Sequence, residues 1–189
     1  MKLLLLLLLA LPCLGQDYFP KACFSSREDL QQFTAGWYSS QLKALQEAPL
    51  FTEKIDPNVE CYRFTWLRTF HHPAVFRLDV GKDHLGKLTI KVADGAGGYE
   101  PGKLIRNEIK ELDERAVRSI TARFRFSEFF KIPSYEENRG LDGAEWVVEA
   151  VSDGKYHIVT RWCPADGPIR KIGMEFIELA IGGDLTPIY

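Results

Sequence analysis

The sequence has little of the material from which several common functional sites are built. Of its 189 residues, four are cysteine, four histidine and two methionine, and the formal net charge is −2 at pH 7. Nucleic-acid binding needs clustered cations, which a chain this close to neutral is not expected to supply. The cysteine spacing matches no compact zinc signature, so we assign no metal ligands.

Motifs typical of common hydrolases are also missing. There is no Gly-x-Ser-x-Gly elbow and no His-Glu-x-x-His helix. No internal repeat and no linker rich in Pro, Gly and Ser divides the chain. A composition that is 46% hydrophobic and 12% aromatic is ample for the packed core of one domain.

The longest apolar run lies at the N-terminus. Lys2 precedes an apolar run from Leu3 to Leu11, and Pro12 and small or neutral residues follow. This is the layout of a secretory signal peptide, and the run is too short to span a bilayer, which takes about 20 apolar residues. The sequence predicts a signal peptide over residues 1–15, a domain over 16–189, and export to the periplasm or secretion without a transmembrane anchor.

Three cysteines remain after cleavage at residue 15: Cys23, Cys61 and Cys163. An odd number in an oxidising compartment allows at most one internal disulfide, and the sequence does not say which cysteines are bonded. At least one is expected to be a small buried hydrophobe. Cys13 would be the lipid-bearing residue of a bacterial lipoprotein, but a proline beside the cut disfavours that signal, so lipid anchoring is not expected.

Apolar residues at helical spacing predict three helices. The first runs from a cap at Ser25 towards Pro49, the second from a cap at Asp113 to about Phe129, and the third from Pro168 to the glycines at 182 and 183. Each has one apolar side. These helices are therefore expected to pack on the apolar face of a sheet.

The segments 61–70, 74–80 and 87–92 switch to a period of two. Apolar residues occupy the even positions, and polar residues such as Arg63, Arg77, Lys87 and Lys91 occupy the odd ones. Strands with one apolar and one polar face form antiparallel meanders. We predict an α+β fold in which a twisted antiparallel β-sheet meander is packed on one face by the N-terminal, central and C-terminal helices. The polar face is expected to be solvated, or to form a shallow anion-binding surface if the sheet curves.

A further hairpin is predicted over residues 144–162. A three-residue loop at 152–154 would pair Trp146 with Thr160 and Glu149 with His157, which matches apolar with apolar and carboxylate with a titratable partner. A two-residue loop would instead place Trp146 opposite Arg161. We expect the three-residue loop.

The same hairpin region carries charged side chains that resemble the acid/base set of a glycosidase. The residues concerned are Asp142, Glu145, Glu149 and Arg161. Cross-strand pairing of Glu145 and Glu149 is a sufficient structural explanation for them, so no catalytic residue is assigned.

The stretch GGYEPGKL, residues 97–104, has the Gly-x4-Gly-Lys spacing of a phosphate-binding loop. Leu104 stands where that loop needs a Ser or Thr, and Pro101 removes one N–H donor. We therefore expect neither a nucleotide nor another cofactor. The glycine-rich loop 94–103 presents Tyr99 and Glu100, and is either a ligand-contact loop or a mobile connection between strands.

Two adjacent histidines, His71 and His72, precede Pro73 at the end of a predicted strand. Neighbours on an extended chain point to opposite faces, so they would need His84 or a carboxylate to hold a metal. We group His71 and His72 with Tyr99 and Glu100 as the candidate ligand-contact residues.

Several runs together resemble a group of exported bacterial proteins of unestablished activity. They are DYFP, YRFTWLRTFHHPAVFRL, DGAGGYEPGKL, GLDGAEWVVE and YHIVTRWCP. The resemblance extends from about Tyr18 to the C-terminal helix. It implies bacterial origin and a single exported domain, and it transfers no functional residue.

The leading hypothesis is a soluble exported domain, without catalytic activity, that binds a small molecule or an envelope protein. One alternative is a hydrolase of unrecognised type that uses carboxylate and histidine residues near the glycine-rich loop. That reading requires Glu100, His71 and His72 to converge in space. The other alternative is a small metal-binding domain.

Overall fold

A six-stranded antiparallel sheet forms the centre of the protein. The computed structural model describes residues 18–53, 55, 56, 58–137 and 140–181, so the predicted signal peptide and Cys13 lie outside the described residues. The strands are β1 (Glu60–Arg68), β2 (Ala74–Val80), β3 (Gly86–Ala93), β4 (Leu104–Leu112), β5 (Ala144–Ser152) and β6 (Lys155–Trp162). Their spatial order is β4-β3-β2-β1-β5-β6, and each neighbouring pair is antiparallel. The α+β class and the antiparallel meander are confirmed.

Three helices accompany the sheet: α1 (Glu28–Ala44), α2 (Glu114–Phe126) and α3 (Gly167–Ile181). The predicted cap of α2 is confirmed, because Asp113 Oδ1 accepts a 2.8 Å hydrogen bond from the N–H of Ala116. Ser25 does not cap α1; its hydroxyl accepts from the N–H of Arg27 instead, and the helix begins at residue 28. In the described part of the chain, no helix has the length and apolar character needed to cross a bilayer.

The helices cover both faces of the sheet. Helices α2 and α3 pack on the face that carries Tyr62, Phe64 and Trp66. On the opposite face, α1 and the segment before it contribute to a second buried cluster, which contains Tyr18, Phe24, Tyr38, Leu42, Leu67, Val75 and Val147. The position of α1 differs from the expected one-sided packing. The reason is that the odd positions of the central strands are not uniformly polar: apolar residues there form a patch that α1 covers.

The odd-numbered face is consequently not a solvated polar surface. Arg63 is fully buried, and the side chains of Arg77 and Lys91 are 17% and 12% exposed. Only Lys87 of the four cations predicted there is exposed. An anion-binding sheet face is therefore not formed.

The hairpin between β5 and β6 has the register of a two-residue loop. Trp146 lies opposite Arg161, and Glu149 lies opposite Ile158, so the predicted three-residue loop is wrong. Asp153 and Gly154 have φ values of 51° and 69°, as a type I′ turn requires, and this turn matches the twist of the strands. Both faces of β5 are buried, so matching apolar with apolar could not select the register.

Candidate functional site

The glycine-rich loop 94–103 is held against the end of β1 and against α1. The N–H groups of Gly97 and Gly98 donate to the carbonyls of His71 and Thr69, at 2.9 and 3.2 Å. From α1, the indole N–H of Trp37 donates to the carbonyl of Gly97 at 2.8 Å. The loop is therefore fixed from two sides and is more than a connection between β3 and β4.

Hydrogen bonds within the loop close it on itself. Asp94 Oδ1 accepts from the N–H of Lys103 at 2.6 Å, and the N–H of Ala96 donates to the carbonyl of Glu100 at 2.9 Å. Gln41, buried on α1, donates to the carbonyl of Tyr99 at 2.8 Å. These bonds leave the side chains of Tyr99 and Glu100 exposed at the surface of a defined backbone.

Gly97 makes the close contact with β1 possible. A Cβ atom at this position would lie 2.7 Å from the backbone nitrogen of Arg68 and 2.7 Å from Cα of Leu67. Real Cβ atoms do not approach backbone atoms so closely, so only glycine allows the loop to lie there. Gly97 therefore has a packing role at the end of β1.

An open cavity of about 600 Å³ lies between this loop and the segment after β1. Its side chains include all four sequence-predicted residues, Tyr99, Glu100, His71 and His72, which the fold brings together. Arg68, Phe70 and Asp94 line it as well, and sequence reasoning missed them. The alternation over residues 61–70 predicted Phe70 on the apolar face of the strand. Strand β1 ends at residue 68, however, and the ring of Phe70 lies outside the core.

Two exposed aromatic rings form part of this groove. Phe70 is 60% exposed and Tyr99 is 61% exposed, and their ring centroids are 6.1 Å apart with planes inclined by 31°. Exposed aromatic side chains beside polar groups are typical of binding surfaces, because removing water from their apolar faces costs little free energy. The pair offers a ligand an apolar platform within the groove.

The two histidines present different chemistry to the groove. His72 Nδ1 lies 2.9 Å from the carbonyl of Gly95, so Nδ1 is protonated and donates to that oxygen. His71 is half-buried, and burial, the charge of Arg68 and the charge of His72 together lower its pKa.

We expect NMR titration to place the pKa of His71 below the ordinary histidine value. Replacing His72 by asparagine removes one of the positive charges that act on His71, so the pKa of His71 should rise in His72→Asn. His84→Asn, at an exposed turn residue, is the control and should leave the pKa of His71 unchanged. A pKa of His71 at or above the ordinary value would contradict the electrostatic account.

Histidine protonation also predicts a direction for stability. A folded-state pKa below the unfolded one means that the unfolded chain binds more protons between the two values, so stability rises with pH in that window. The contribution of His71 is present above the unfolded pKa and is lost as pH falls through the folded pKa. The effect is small because the ring is only half-buried.

The carboxylates of the β5–β6 hairpin do not form an acid/base set. Glu149 is buried on the α1 face, where Arg63 donates to both of its oxygens at 2.7 and 2.8 Å. Arg161 lies on the other face and pairs with Glu136 at 2.8 Å. Glu145 is buried on the same face as Glu149. The sheet therefore separates Arg161 from Glu145 and Glu149.

The described cysteines carry free thiols and do not line this groove. Cys23 and Cys61 are buried; burial raises the pKa of Cys23 to about 12 and also raises the pKa of Cys61. A thiol of raised pKa is a poor nucleophile. The expectation that at least one cysteine is a small buried hydrophobe is confirmed. Over the described ranges, no three His, Cys, Asp or Glu side chains are arranged to hold a metal ion.

Two smaller cavities lie away from the glycine-rich loop, and charged side chains line both of them as well. One of about 440 Å³ lies between α2 and α3 beside Phe126, and one of about 370 Å³ lies beside Cys163 before α3.

Comparison with protein-family models and with curated proteins finds no match to this chain. The function is therefore inferred from the geometry of the groove.

Proposed function

We propose that the protein is an exported ligand-binding domain that acts without catalysis and binds its ligand in the groove beside the glycine-rich loop. The observation that carries this proposal is the convergence of His71, His72, Tyr99 and Glu100, from two separate segments, on one open cavity with the exposed ring of Phe70. The signal-peptide pattern of residues 1–15 supports export.

The groups around the groove indicate the chemistry of the ligand. The rings of Phe70 and Tyr99 supply an apolar surface, while Glu100 supplies a carboxylate and His72 an imidazole. Ligand sites commonly combine such an apolar surface with a few polar groups that fix orientation. A small polar molecule with one flat apolar face, such as a sugar ring, fits this combination. Because the groove is open, it also suits the end of a longer glycan or glycopeptide.

The test is a thermal-shift and calorimetric screen of sugars, peptidoglycan fragments, small acids, nucleotides and divalent metals. A ligand that binds only the native state raises its melting temperature in a saturable way. We expect Tyr99→Ala and Phe70→Ala each to weaken binding about tenfold or more, because exposed aromatic residues dominate the binding energy of such surfaces. Neither change should lower the melting temperature of the free protein much, because both rings are largely exposed.

Phe126→Ala is the matched control, because this ring on α2 is 80% exposed and lies outside the groove. Its affinity for the same ligand should equal that of the wild type. The proposal is wrong if a ligand found in the screen binds Tyr99→Ala, Phe70→Ala and Phe126→Ala equally well. It is also wrong if the whole panel gives no saturable shift.

One observation favours the hydrolase alternative as a second candidate. Glu100, His71 and His72 line the same cavity, as a hydrolase of this kind requires, and histidine and glutamate are side chains that act as general acids and bases. Turnover of chromogenic esters or glycosides, lost in His72→Asn and retained in His84→Asn, would favour a hydrolase over a binding domain.

A further inference from the structure

The cavity between α2 and α3 lies apart from the groove beside the glycine-rich loop, and the two share no lining residue. The end of α2 meets the first turns of α3 here, so that Phe126 and Ser127 face the cavity together with Pro168 and Lys171. Its volume of about 440 Å³ is in the range of about 300–1,000 Å³ that is usual for small-molecule sites. The groups that surround it therefore decide which kind of molecule it accepts.

Two cations and no carboxylate belong to the lining of this cavity. The cations are Arg123 on α2 and Lys171 on α3. Over the ranges that the structure describes, the ammonium group of Lys171 has neither a carboxylate within ion-pair distance nor a hydrogen-bond partner. Lys171 therefore brings an uncompensated positive charge to the cavity.

Arg123 is held in its place by Glu175 on α3. Its Nε donates to Oε2 of Glu175 at 3.2 Å, and its Nη2 lies 3.2 Å from the same oxygen. Among the described residues, Nη1 of Arg123 has no hydrogen-bond partner. A guanidinium that is fixed on one edge and free on another is preorganised for an anionic oxygen, because it has little rotamer freedom left to lose.

The balance of charge indicates a ligand with one negative charge. Glu175 offsets the charge of Arg123, so one net positive charge remains from Lys171. The hydroxyls of Ser119 and Ser127 add no donor, because both already donate within the protein, at 2.5 and 3.0 Å. A carboxylate has one charge and two acceptor oxygens, which suits one ammonium and one guanidinium group. A phosphate monoester carries nearly two charges at pH 7 and would require further donors.

The other wall of the cavity is apolar. It is formed by Ala122 and Phe126 on α2 and by Pro168 on α3. The ring of Phe126 is 80% exposed, so a hydrocarbon chain that lies against it would remove apolar surface of both partners from water. The cavity thus combines a place for a carboxylate with a place for a hydrocarbon chain.

We propose that this cavity is a second binding site, and that it takes a free carboxylic acid with a hydrocarbon chain, such as a medium-chain fatty acid. The carboxylate contacts the ammonium group of Lys171 and Nη1 of Arg123. The chain lies along the wall that Ala122, Phe126 and Pro168 form. This site goes beyond the groove and does not depend on the ligand that the groove binds.

Isothermal titration calorimetry of the full chain with octanoate tests the site. We expect saturable binding, and weaker binding of butanoate, because each methylene that is buried raises the affinity about two- to fourfold. Octanol lacks the charge and should bind about tenfold more weakly than octanoate, or less. Absence of saturable octanoate binding up to about 10 mM overturns the proposal. Tighter binding of octyl phosphate than of octanoate overturns the assignment of a carboxylate.

Substitutions at exposed positions test which residues hold octanoate. Lys171→Met removes the charge and keeps an apolar stem, and it should lower the affinity about tenfold or more, whereas Lys171→Arg should retain binding. Phe126→Ala should lower the affinity about threefold or more, because less apolar surface is buried. Lys82→Met is the control, because this lysine is exposed in the turn between β2 and β3 and lies outside the cavity. Equal octanoate affinity of Lys171→Met and Lys82→Met overturns the site.

Tyr99→Ala distinguishes the cavity from the groove. This variant should bind octanoate as tightly as the wild type, because Tyr99 lines only the groove. Loss of octanoate binding in Tyr99→Ala, with binding retained in Lys171→Met, would place octanoate in the groove and overturn the second site. Circular dichroism melting of every variant confirms folding. A ligand of the groove should still bind Lys171→Met, so failure of this proposal and failure of the groove are separate results.

Discussion

Arg63→Ala is expected to lower the free energy of unfolding by about 3–5 kcal/mol, since it removes one partner of a buried ion pair. The guanidinium is fully buried and donates to both carboxylate oxygens of Glu149 and, at 2.6 Å, to the carbonyl of Ala48. Burial opposes the charge of Arg63, but the carboxylates of Glu149 and Glu47 outweigh burial and raise its pKa. Without the guanidinium, Glu149 would be a buried charge whose remaining hydrogen-bond donor is Tyr156.

Removing both charges should be far less damaging than removing one. In Arg63→Met combined with Glu149→Leu, apolar side chains of similar size fill the same space, and such replacements of buried pairs are often nearly neutral. The double variant should therefore recover most of the stability that Arg63→Ala loses. Some deficit is expected because the hydroxyl of Tyr156 loses its acceptor.

Urea unfolding followed by circular dichroism measures these differences. Arg118→Ala is the control, because its pair with Glu114 is exposed and such pairs contribute only about 0–1 kcal/mol. If Arg63→Ala lowered the free energy of unfolding no more than Arg118→Ala does, the Arg63–Glu149 pair would not be a buried element of the fold. The experiment thus tests the coverage of this sheet face by α1 as well as the pair itself.

Gly97→Ala is expected to remove ligand binding at the groove and to destabilise the protein by about 1–3 kcal/mol, the usual cost of overpacking. The added Cβ would meet backbone atoms of Leu67 and Arg68, which a strand in the middle of the sheet does not yield. The loop would have to withdraw, and the hydrogen bonds of Gly97 to His71 and Trp37 would break. Tyr99 and Glu100 would then leave their places beside the histidines.

Gly36→Ala is the matched control for this change. A Cβ at Gly36 meets no atom within 4 Å, and this glycine lies inside α1. There, alanine should stabilise the protein by about 0.5–1 kcal/mol. Gly97→Ala should lower the ligand affinity and the melting temperature, and it should change the fluorescence of Trp37. Gly36→Ala should raise the melting temperature instead. Unchanged affinity in Gly97→Ala would mean that the loop does not form the site.

Much of the local structure could be predicted from periodicity. Alternation over residues 61–92 predicted β1, β2 and β3, and Asp113 correctly marked the start of α2. Strand β4 was missed because most of its residues are exposed and polar, and because a register break beside Ile105 interrupts its alternation. The β5–β6 register was predicted wrongly because the turn conformation at Asp153 and Gly154, and not side-chain matching, fixed it.

The candidate site was predicted in part. His71, His72, Tyr99 and Glu100 were identified as residue types able to contact a ligand, and the fold places them around one cavity. Their convergence could not be read from the sequence, because it depends on the contact of Gly97 with the end of β1. Phe70 was assigned to the core, because alternation does not show where a strand ends.

The sequence alone determined the α+β class, the antiparallel meander and the approximate positions of the three helices, because hydrophobic periodicity is a local property of the chain. Only the tertiary structure decided that α1 covers the second face, that Arg63 is buried with Glu149, and that the glycine-rich loop meets the histidines. Periodicity shows which side of a strand a residue occupies. Whether that side is covered depends on segments that are distant in the sequence, and packing alone brings them there.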